Sequence, residues 1–482
     1  MPALDSLPPA HQAIPICSGC RERDLQISQL TEQLQQRDCR IAQLEKTKPI
    51  PANSSNSSVP PSADPPNAPK RTPKKPTGRK PGGQPGHPGR CRTRLPPERV
   101  QHTIPIVPDR CDYCQTKLPA EPGPNDPEPT WHQFAELPAL AAVVTEYQAH
   151  GRTCPHCQQV TQATIPEVLR SHAIGTRLAA TLTYLSGCPH VSKRGIEEIV
   201  ETVLQVPIAV GTVSNLEKEM SAALQSAHAA AQQTVQQAKI KNLDETGWKQ
   251  AGRKLWLWAA STATVVCFVI YEKRSLKGLL ALLDGKLKGI FCTDRWSVYQ
   301  RIPVHRRQLC WAHLKRDFQK LVDLGGGAKK YGELGLAAAS ILFHWWSSYR
   351  DGSISRRQLR LELEPLRTSM KAWMEEGARS SHGKAAALCK KLLPLEPALW
   401  LFIYRRGVEP TNNWIERLLR TAVIWRKIAF GCHSDRGCRF VERILTVVQT
   451  LRLQKRPVLD FLVQSLAAHR EGAKLPELVR EE

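Results

Sequence analysis

Residues 239–246 read KIKNLDET and residues 289–294 read GIFCTD, and across the interval between them the hydrophobic period of the chain changes. Ile240 to Asp244, Leu255 to Ala260, Val265 to Tyr271 and Ile290 to Thr293 are short apolar or alternating runs, which predict strands, with a helix from Ser275 to Leu283 before the last. Two of these strands close on an acid. Asp244 and Asp294 are therefore expected at the edge of one sheet, where α/β folds gather their ligand sites. Leu255 to Tyr271 carries no charge, but it is short for a membrane span and is split by Ser261, Thr262 and Thr264. Two buried strands around a turn are expected there instead.

A third acid follows much later, in PTNNWIERLLR at 410–420. Pro410 and Thr411 mark a helix start, and Trp414, Ile415, Leu418, Leu419 and Ala422 form its apolar face. Asn413, Glu416, Arg417 and Arg420 share the other face, which suits a place where metal and phosphate meet. Hydrolysis or transfer at a phosphodiester needs an activated oxygen nucleophile and a neutralised leaving oxygen, which two hard cations about 3.5–4 Å apart supply. Carboxylates are the matching ligands, and because Mg2+ keeps several waters, three acids can serve two ions. Taken singly, an Asp at a strand end is more often a turn former and a helical Glu a solvated residue. Glu245 should point to the opposite side of its strand from Asp244 and is the weaker candidate.

Composition narrows the partner. The chain has 482 residues, 41% of them hydrophobic, with a net charge of +24 and a pI near 9.6. Length favours several domains, and the charge favours a polyanion, nucleic acid ahead of any membrane. The opening residues, MPALDSLPPAHQ, lack an apolar leader, so a cytoplasmic protein is expected. Fifteen cysteines in a reducing compartment point to metal rather than disulfides.

Outward toward the N-terminus, Ile27, Leu30, Leu34, Ile41 and Leu44 keep a heptad spacing with Arg37 at one core position, a short coiled coil suited to self-association. From about Thr47 to Pro97 the chain is rich in Pro, Ser, Lys, Arg and Gly and reads as a basic linker; GRKPGG within it reads as solvated linker rather than a minor-groove arm. Cys111, Cys114, Cys154 and Cys157 form CDYC and CPHC, two knuckles offering four thiolates to a structural Zn2+. Cys17 and Cys20 have no second pair and read as unliganded thiols. RGIEEIVETVLQVPIAVGTVSNLEKEM then places two amphipathic segments around a short turn, a candidate helix-turn-helix whose second helix starts near Gly211. It would present Thr212, Ser214, Asn215 and Lys218 to a major groove, with plain packing nearly as good a reading.

Between Leu314 and Arg406 the pattern is helical. Lys315 and Arg316 are read as contacts to DNA backbone. Cys310 and His313 supply two possible ligands, short of a zinc site, and packing or hydrogen bonding is the better reading. Trp414 is weighed as a base-stacking residue, with core packing stronger.

NLDETGW, TDRWSVY, CWAHLKRDF and TNNWIERLLR resemble the transposases of the insertion-sequence-66 family of bacterial DDE elements, and the likeness extends to the GGQPGHPG linker. The resemblance implies a multidomain α/β protein. Its ribonuclease-H-like catalytic core would be interrupted by a helical insertion and preceded by coiled coil, zinc ribbon and helical DNA-binding region. Asp244, Asp294 and Glu416 take the catalytic positions and hold two Mg2+ or Mn2+. One departure is that Arg295 and Trp296 follow Asp294, where the family usually has a small residue and tyrosine; Tyr299 still fits.

The expected boundaries are 1–47 coiled coil, 48–107 linker, 108–170 zinc ribbon, 171–235 helical DNA-binding region, 236–430 catalytic domain with an insertion at about 320–405, and 431–482 helical tail. The implied activity is metal-dependent cleavage and strand transfer at the ends of a mobile DNA element, by a homo-oligomer, with accessory proteins from the same element as further partners. The alternatives are a zinc-ribbon DNA-binding regulator with an inactive catalytic domain, and a nuclease without strand transfer.

Overall fold

The computed structural model describes residues 93–479 except 139 and 286, together with residues 29, 32, 33, 35–37, 53 and 56. Apart from those few positions, the expected coiled coil, the Cys17/Cys20 pair and the linker up to residue 92 lie outside the described residues. The described chain from residue 93 on divides into two compact units, one of residues 93–310 and 397–479, the other of residues 311–396.

In the first unit a small antiparallel pair, β1 (Gly151–Thr153) and β2 (Val160–Gln162), precedes a five-stranded mixed sheet. The sheet comprises β3 (Ile240–Gln250), β4 (Arg253–Ser261), β5 (Val266–Tyr271), β6 (Ile290–Thr293) and β7 (Arg307–Leu309), in the order β5-β4-β3-β6-β7. β3, β4 and β5 run antiparallel to one another, while β6 pairs in parallel with both β3 and β7. The uncharged run from Leu255 is thus two strands around a turn, closed where the Thr262 amide donates to the Val265 carbonyl at 2.8 Å. No described helix is long and apolar enough to cross a membrane.

Two strands differ from expectation. β3 continues past Asp244 to Gln250, because its antiparallel ladder with β4 runs on to the turn at Ala251 and Gly252, both with positive φ (47° and 80°) as a two-residue hairpin favours. Asp244 is therefore in mid-strand rather than at a strand end. β7 was not anticipated, since three residues, RQL, are too few to show a period; all three are buried.

A single helical turn, Glu167–Arg170, and the longer helices Thr176–Gly187, Lys193–Leu204, Val210–Ala223 and Gln225–Gln237 precede the sheet. Leu276–Leu283 joins β5 to β6, and Asn413–Ala429, Asp435–Leu453 and Val458–Glu471 follow the return of the chain. The Asp435–Leu453 helix lies along β5, the edge strand, and buries Glu442, Thr446, Gln449 and Thr450 among apolar neighbours. Their spacing explains their burial. Thr450 Oγ1, Thr446 Oγ1 and Glu442 Oε1 accept the amides of Val266 (3.1 Å), Phe268 (3.0 Å) and Ile270 (2.6 Å). Alternate amides of a strand face one way and residues four apart on a helix share a face, so one helix covers an edge that would otherwise expose unpaired donors.

The second unit is helical among its described residues: Trp311–Leu324, Gly326–Arg350, Arg356–Arg379 and Gly383–Leu392. Phe318, Leu342, Leu359, Leu363, Met370 and Met374 are buried within it.

Candidate active site

Along β3, Lys241, Leu243 and Glu245 are buried, while Asn242, Asp244 and Thr246 on the other face are partly exposed. The last β3–β6 pair is Asn242 with Cys292. Asp244 and Asp294 each lie two residues further on, Asp244 still within β3 and Asp294 just past the end of β6. Asp294 Oδ1 accepts the Trp296 amide at 2.9 Å, fixing the turn out of β6. Behind that turn stands a fully buried arginine. Arg307 Nε donates to Thr293 Oγ1 (3.0 Å) and its Nη2 to the Asp294 carbonyl (2.8 Å), and burial lowers its pKa to about 10.

Glu416 sits in the first turn of the Asn413–Ala429 helix. The residue before that helix, Asn412, is buried and does not cap it; its side chain reaches to the sheet instead. Asn412 Nδ2 donates to the Leu243 carbonyl (2.7 Å), its Oδ1 accepts from Asn242 Nδ2 (2.8 Å), and its amide donates to Cys310 Sγ (3.1 Å). Toward the far end of the helix, Arg426 donates to the Gly247 carbonyl and to Thr246 Oγ1. The helix is thus tied at both ends to the face of β3 that carries Asp244. Glu416 also brings its carboxylate within 4.8 Å of the Cys310 thiol.

Burial pushes the Asp244 carboxyl well above the ordinary carboxylate range, and the charges of Glu245, Asp294 and Glu416 raise it further. Of the three sequence-predicted acids, Asp294 and Glu416 thus both lie close enough to Asp244 to oppose its charge. Among the described residues, however, the three do not form a cluster whose ligand atoms all lie within 4.8 Å of one another.

Glu245 has separate partners. Arg274 Nε donates to its Oε1 at 2.8 Å and the buried Tyr299 hydroxyl donates to its Oε2. The Arg274 guanidinium in turn lies over the rings of Trp256 (5.0 Å) and Trp296 (4.1 Å). Trp296, part of the departure seen after Asp294, thus packs over an ion pair. Arg307, Asn412 and Arg274 are site residues that sequence reasoning missed; each acts through a partner remote in sequence.

The two cysteine knuckles have matching turns. In CDYC the Gln115 amide donates to the Cys111 carbonyl (2.9 Å) and the Cys111 amide to the Thr116 carbonyl (3.0 Å); in CPHC the Gln158 amide donates to the Cys154 carbonyl (2.9 Å) and the Cys154 amide to the Gln159 carbonyl (2.8 Å). Gln115 and Gln158 occupy the same left-handed conformation, with φ of 61° and 57°. Hydrogen bonds lower two of the thiols, chiefly from Thr116 to Cys114 and from the Cys157 amide to Cys154. Among the described residues, no three of Cys111, Cys114, Cys154 and Cys157 bring their sulfurs within 4.8 Å of one another.

Of the residues read as DNA contacts, Asn215 and Lys218 are exposed and Thr212 partly so. Ser214 is engaged internally, donating to the Val210 carbonyl (3.2 Å) and accepting from Lys193 Nζ (2.9 Å). In the second unit Lys315 is exposed and Arg316 partly buried; Asn413, Arg417 and Arg420 are exposed. Trp414 packs against the core and donates its indole N–H to the Thr262 carbonyl at 3.1 Å.

A family profile described as "Transposase IS66 family" matches residues 172–439, and a family of unknown function matches residues 6–93. An uncharacterized protein, y4qI, of Sinorhizobium fredii (strain NBRC 101917 / NGR234) is 25% identical over 248 residues, 47% of this chain and 46% of that relative. The chain thus spans about half the length of the relative it matches.

Proposed function

Because the chain belongs to the IS66 transposase family, we propose that it cleaves and joins DNA at the ends of a mobile element, with Asp244, Asp294 and Glu416 as its catalytic acids. The observation that carries this reading is the crowding of Asp294 and Glu416 around the Asp244 carboxyl, on the face of β3 to which Asn412 and Arg426 tie the Glu416 helix. A divalent cation relieves that repulsion, and hard carboxylate oxygens are the donors Mg2+ or Mn2+ prefers. Bound by these acids, two such ions would supply an activated oxygen nucleophile and neutralise the leaving oxygen.

The chain's own residues set the geometry. Arg307 fixes the backbone at Asp294, Asn412 fixes the start of the Glu416 helix against β3, and the N-terminal turn of that helix adds a partial positive charge where phosphate would lie. Glu245, committed to Arg274 and Tyr299, anchors the other face of the sheet. The sheet order, with three antiparallel strands followed by two parallel ones, supports a ribonuclease-H-like core, and Trp311–Glu396 serves as its helical insertion. The matched knuckle turns support Zn2+ held by the two cysteine pairs once these are brought together. Self-association follows from the need to hold two element ends, and accessory proteins of the same element remain part of this reading.

In the test, purified protein is given labelled element ends and target DNA with Mg2+ or Mn2+. Joined product is expected, and Asp294→Asn should abolish it while leaving end binding intact. Cleavage without joining would make the chain a nuclease; joining by Asp294→Asn would refute the triad.

A further inference from the structure

The Asn413–Ala429 helix continues past the proposed catalytic acid as a stripe exposed to solvent. Asn413, Arg417, Arg420, Ile424 and Lys427 follow one another at steps of three or four, Ile428 stands four beyond Ile424, all are exposed, and none is acidic. Its far end is apolar: Ile424 is 43%, Ile428 56% and Phe430 75% exposed. Phe430, the residue that ends the helix, is held in the left-handed conformation at φ 57° and ψ 12°. Helix-terminating residues in this conformation are usually glycine or asparagine, because a β-carbon is strained there.

Backbone geometry does not require an aromatic at 430. The next residue, Gly431, has φ 104°, and a Cβ on it would stand 2.1 Å from the Lys249 carbonyl oxygen, so a glycine is needed at that position. Beyond it the Cys432 amide donates to the Lys249 carbonyl at 2.9 Å and the Cys432 carbonyl accepts the Ala251 amide at 2.8 Å. These bonds hold the chain at the end of β3 whatever side chain stands at 430. Phe430 is therefore a strained residue that gains little from packing, a combination that marks positions kept for function.

We propose that Phe430 and Ile428 form a wedge that enters the DNA base stack, Phe430 stacking on an unpaired nucleobase, while Arg417, Arg420 and Lys427 carry the phosphates between that base and Glu416. The proposal rests on the transposase reading and deepens it. Fourteen helical steps from Glu416 to Phe430 span about 20 Å, roughly six base steps at 3.4 Å. Apolar wedges flanked by basic residues are a recurrent means of opening a base step, and stacking on an aromatic ring tolerates any base. Charge complementarity favours DNA as the occupant, since the stripe carries Arg417, Arg420 and Lys427 with no acid among them.

The test uses the full chain and short duplexes carrying 2-aminopurine, either blunt or frayed at one end. Wild type should bind the frayed duplex at least about fivefold more tightly and change its 2-aminopurine emission. Phe430→Gly should erase both effects yet raise the thermal midpoint, because it relieves the backbone; Phe430→Trp should retain both. A Phe430→Gly protein that still prefers frayed DNA overturns the inference, as does one that melts lower than wild type, which would make the residue structural. Loss of a dimer in place of the frayed-end preference, read by light scattering, would assign the surface to a second copy and overturn it too. If wild type binds neither duplex, the transposase reading itself fails and the inference with it.

Discussion

Asp244 shows how a single residue couples stability to chemistry. Its carboxyl is raised by burial and by three neighbouring acids, so the folded chain holds a proton there more tightly than the unfolded chain does. Stability consequently falls as pH rises from the ordinary carboxylate range through the raised value, where the charge must form against its neighbours. Asp244→Asn removes that cost. We expect it to stabilise the metal-free protein by about 0.5–2 kcal/mol near neutral pH, to flatten this part of the pH profile in thermal melts with EDTA, and to abolish joining. Mg2+ needs the ionised acid, so affinity measured by calorimetry should rise with pH and binding should release protons. An Asn variant that melts below wild type in EDTA would show that Asp244 is not under this strain. That Asp244 and Asp294 lie near one another was legible in the sequence, because short apolar runs lead into both. Arg307 was not: a buried arginine between a three-residue strand and a turn carries no local signal, and only tertiary pairing with Thr293 and Asp294 reveals it.

At the scale of elements, the informative contacts are those by which helices satisfy a strand. Thr446 accepts the Phe268 amide in a fully buried setting, so Thr446→Val, which keeps the shape, leaves a donor unpaired and should cost about 1–3 kcal/mol in denaturant unfolding. Thr446→Ser keeps the hydroxyl and should recover most of the loss. Asn412 joins the Glu416 helix to β3 through two side-chain bonds and one amide. Asn412→Ala should lower joining by about 10²-fold, the scale of a 1 Å misplacement, with Mg2+ affinity falling alongside it. Unchanged joining would mean that Arg426 alone sets the helix. Strand and helix identities were readable from period, and the Leu276–Leu283 helix and β4 through β6 fall close to where the sequence put them. The length of β3 was not readable, because the polar stretch after Asp244 is held as strand by its ladder to β4 rather than by its own pattern. The buried polar face of Asp435–Leu453 was equally hidden: Glu442, Thr446 and Thr450 look solvated until the β5 edge is placed beside them.

For the whole molecule, the relevant quantity is a charge of +24 distributed over a chain whose proposed triad is split by a helical segment. Covalent order alone separates Asp294 from Glu416 by more than a hundred residues, with the chain leaving the sheet-bearing unit after Cys310 and re-entering it at Pro397. Helical periodicity announced that segment, whereas its ends depend on contacts that no window of sequence contains. The excess charge predicts how binding responds to salt. Each phosphate neutralised releases condensed counterions, so the logarithm of the association constant should fall linearly with the logarithm of salt concentration, by about 0.9 per contact. For about six to ten contacts this loses roughly 10³–10⁵ in affinity between about 50 and 200 mM salt. Arg417→Ala and Arg420→Ala should each reduce the slope by about 1, alike for element ends and unrelated duplexes, because phosphate contacts position a protein without reading sequence. Fluorescence anisotropy over a salt series measures the slope directly. A slope left unchanged by both substitutions would remove this helix from the DNA path and leave the positive charge to act through other surfaces.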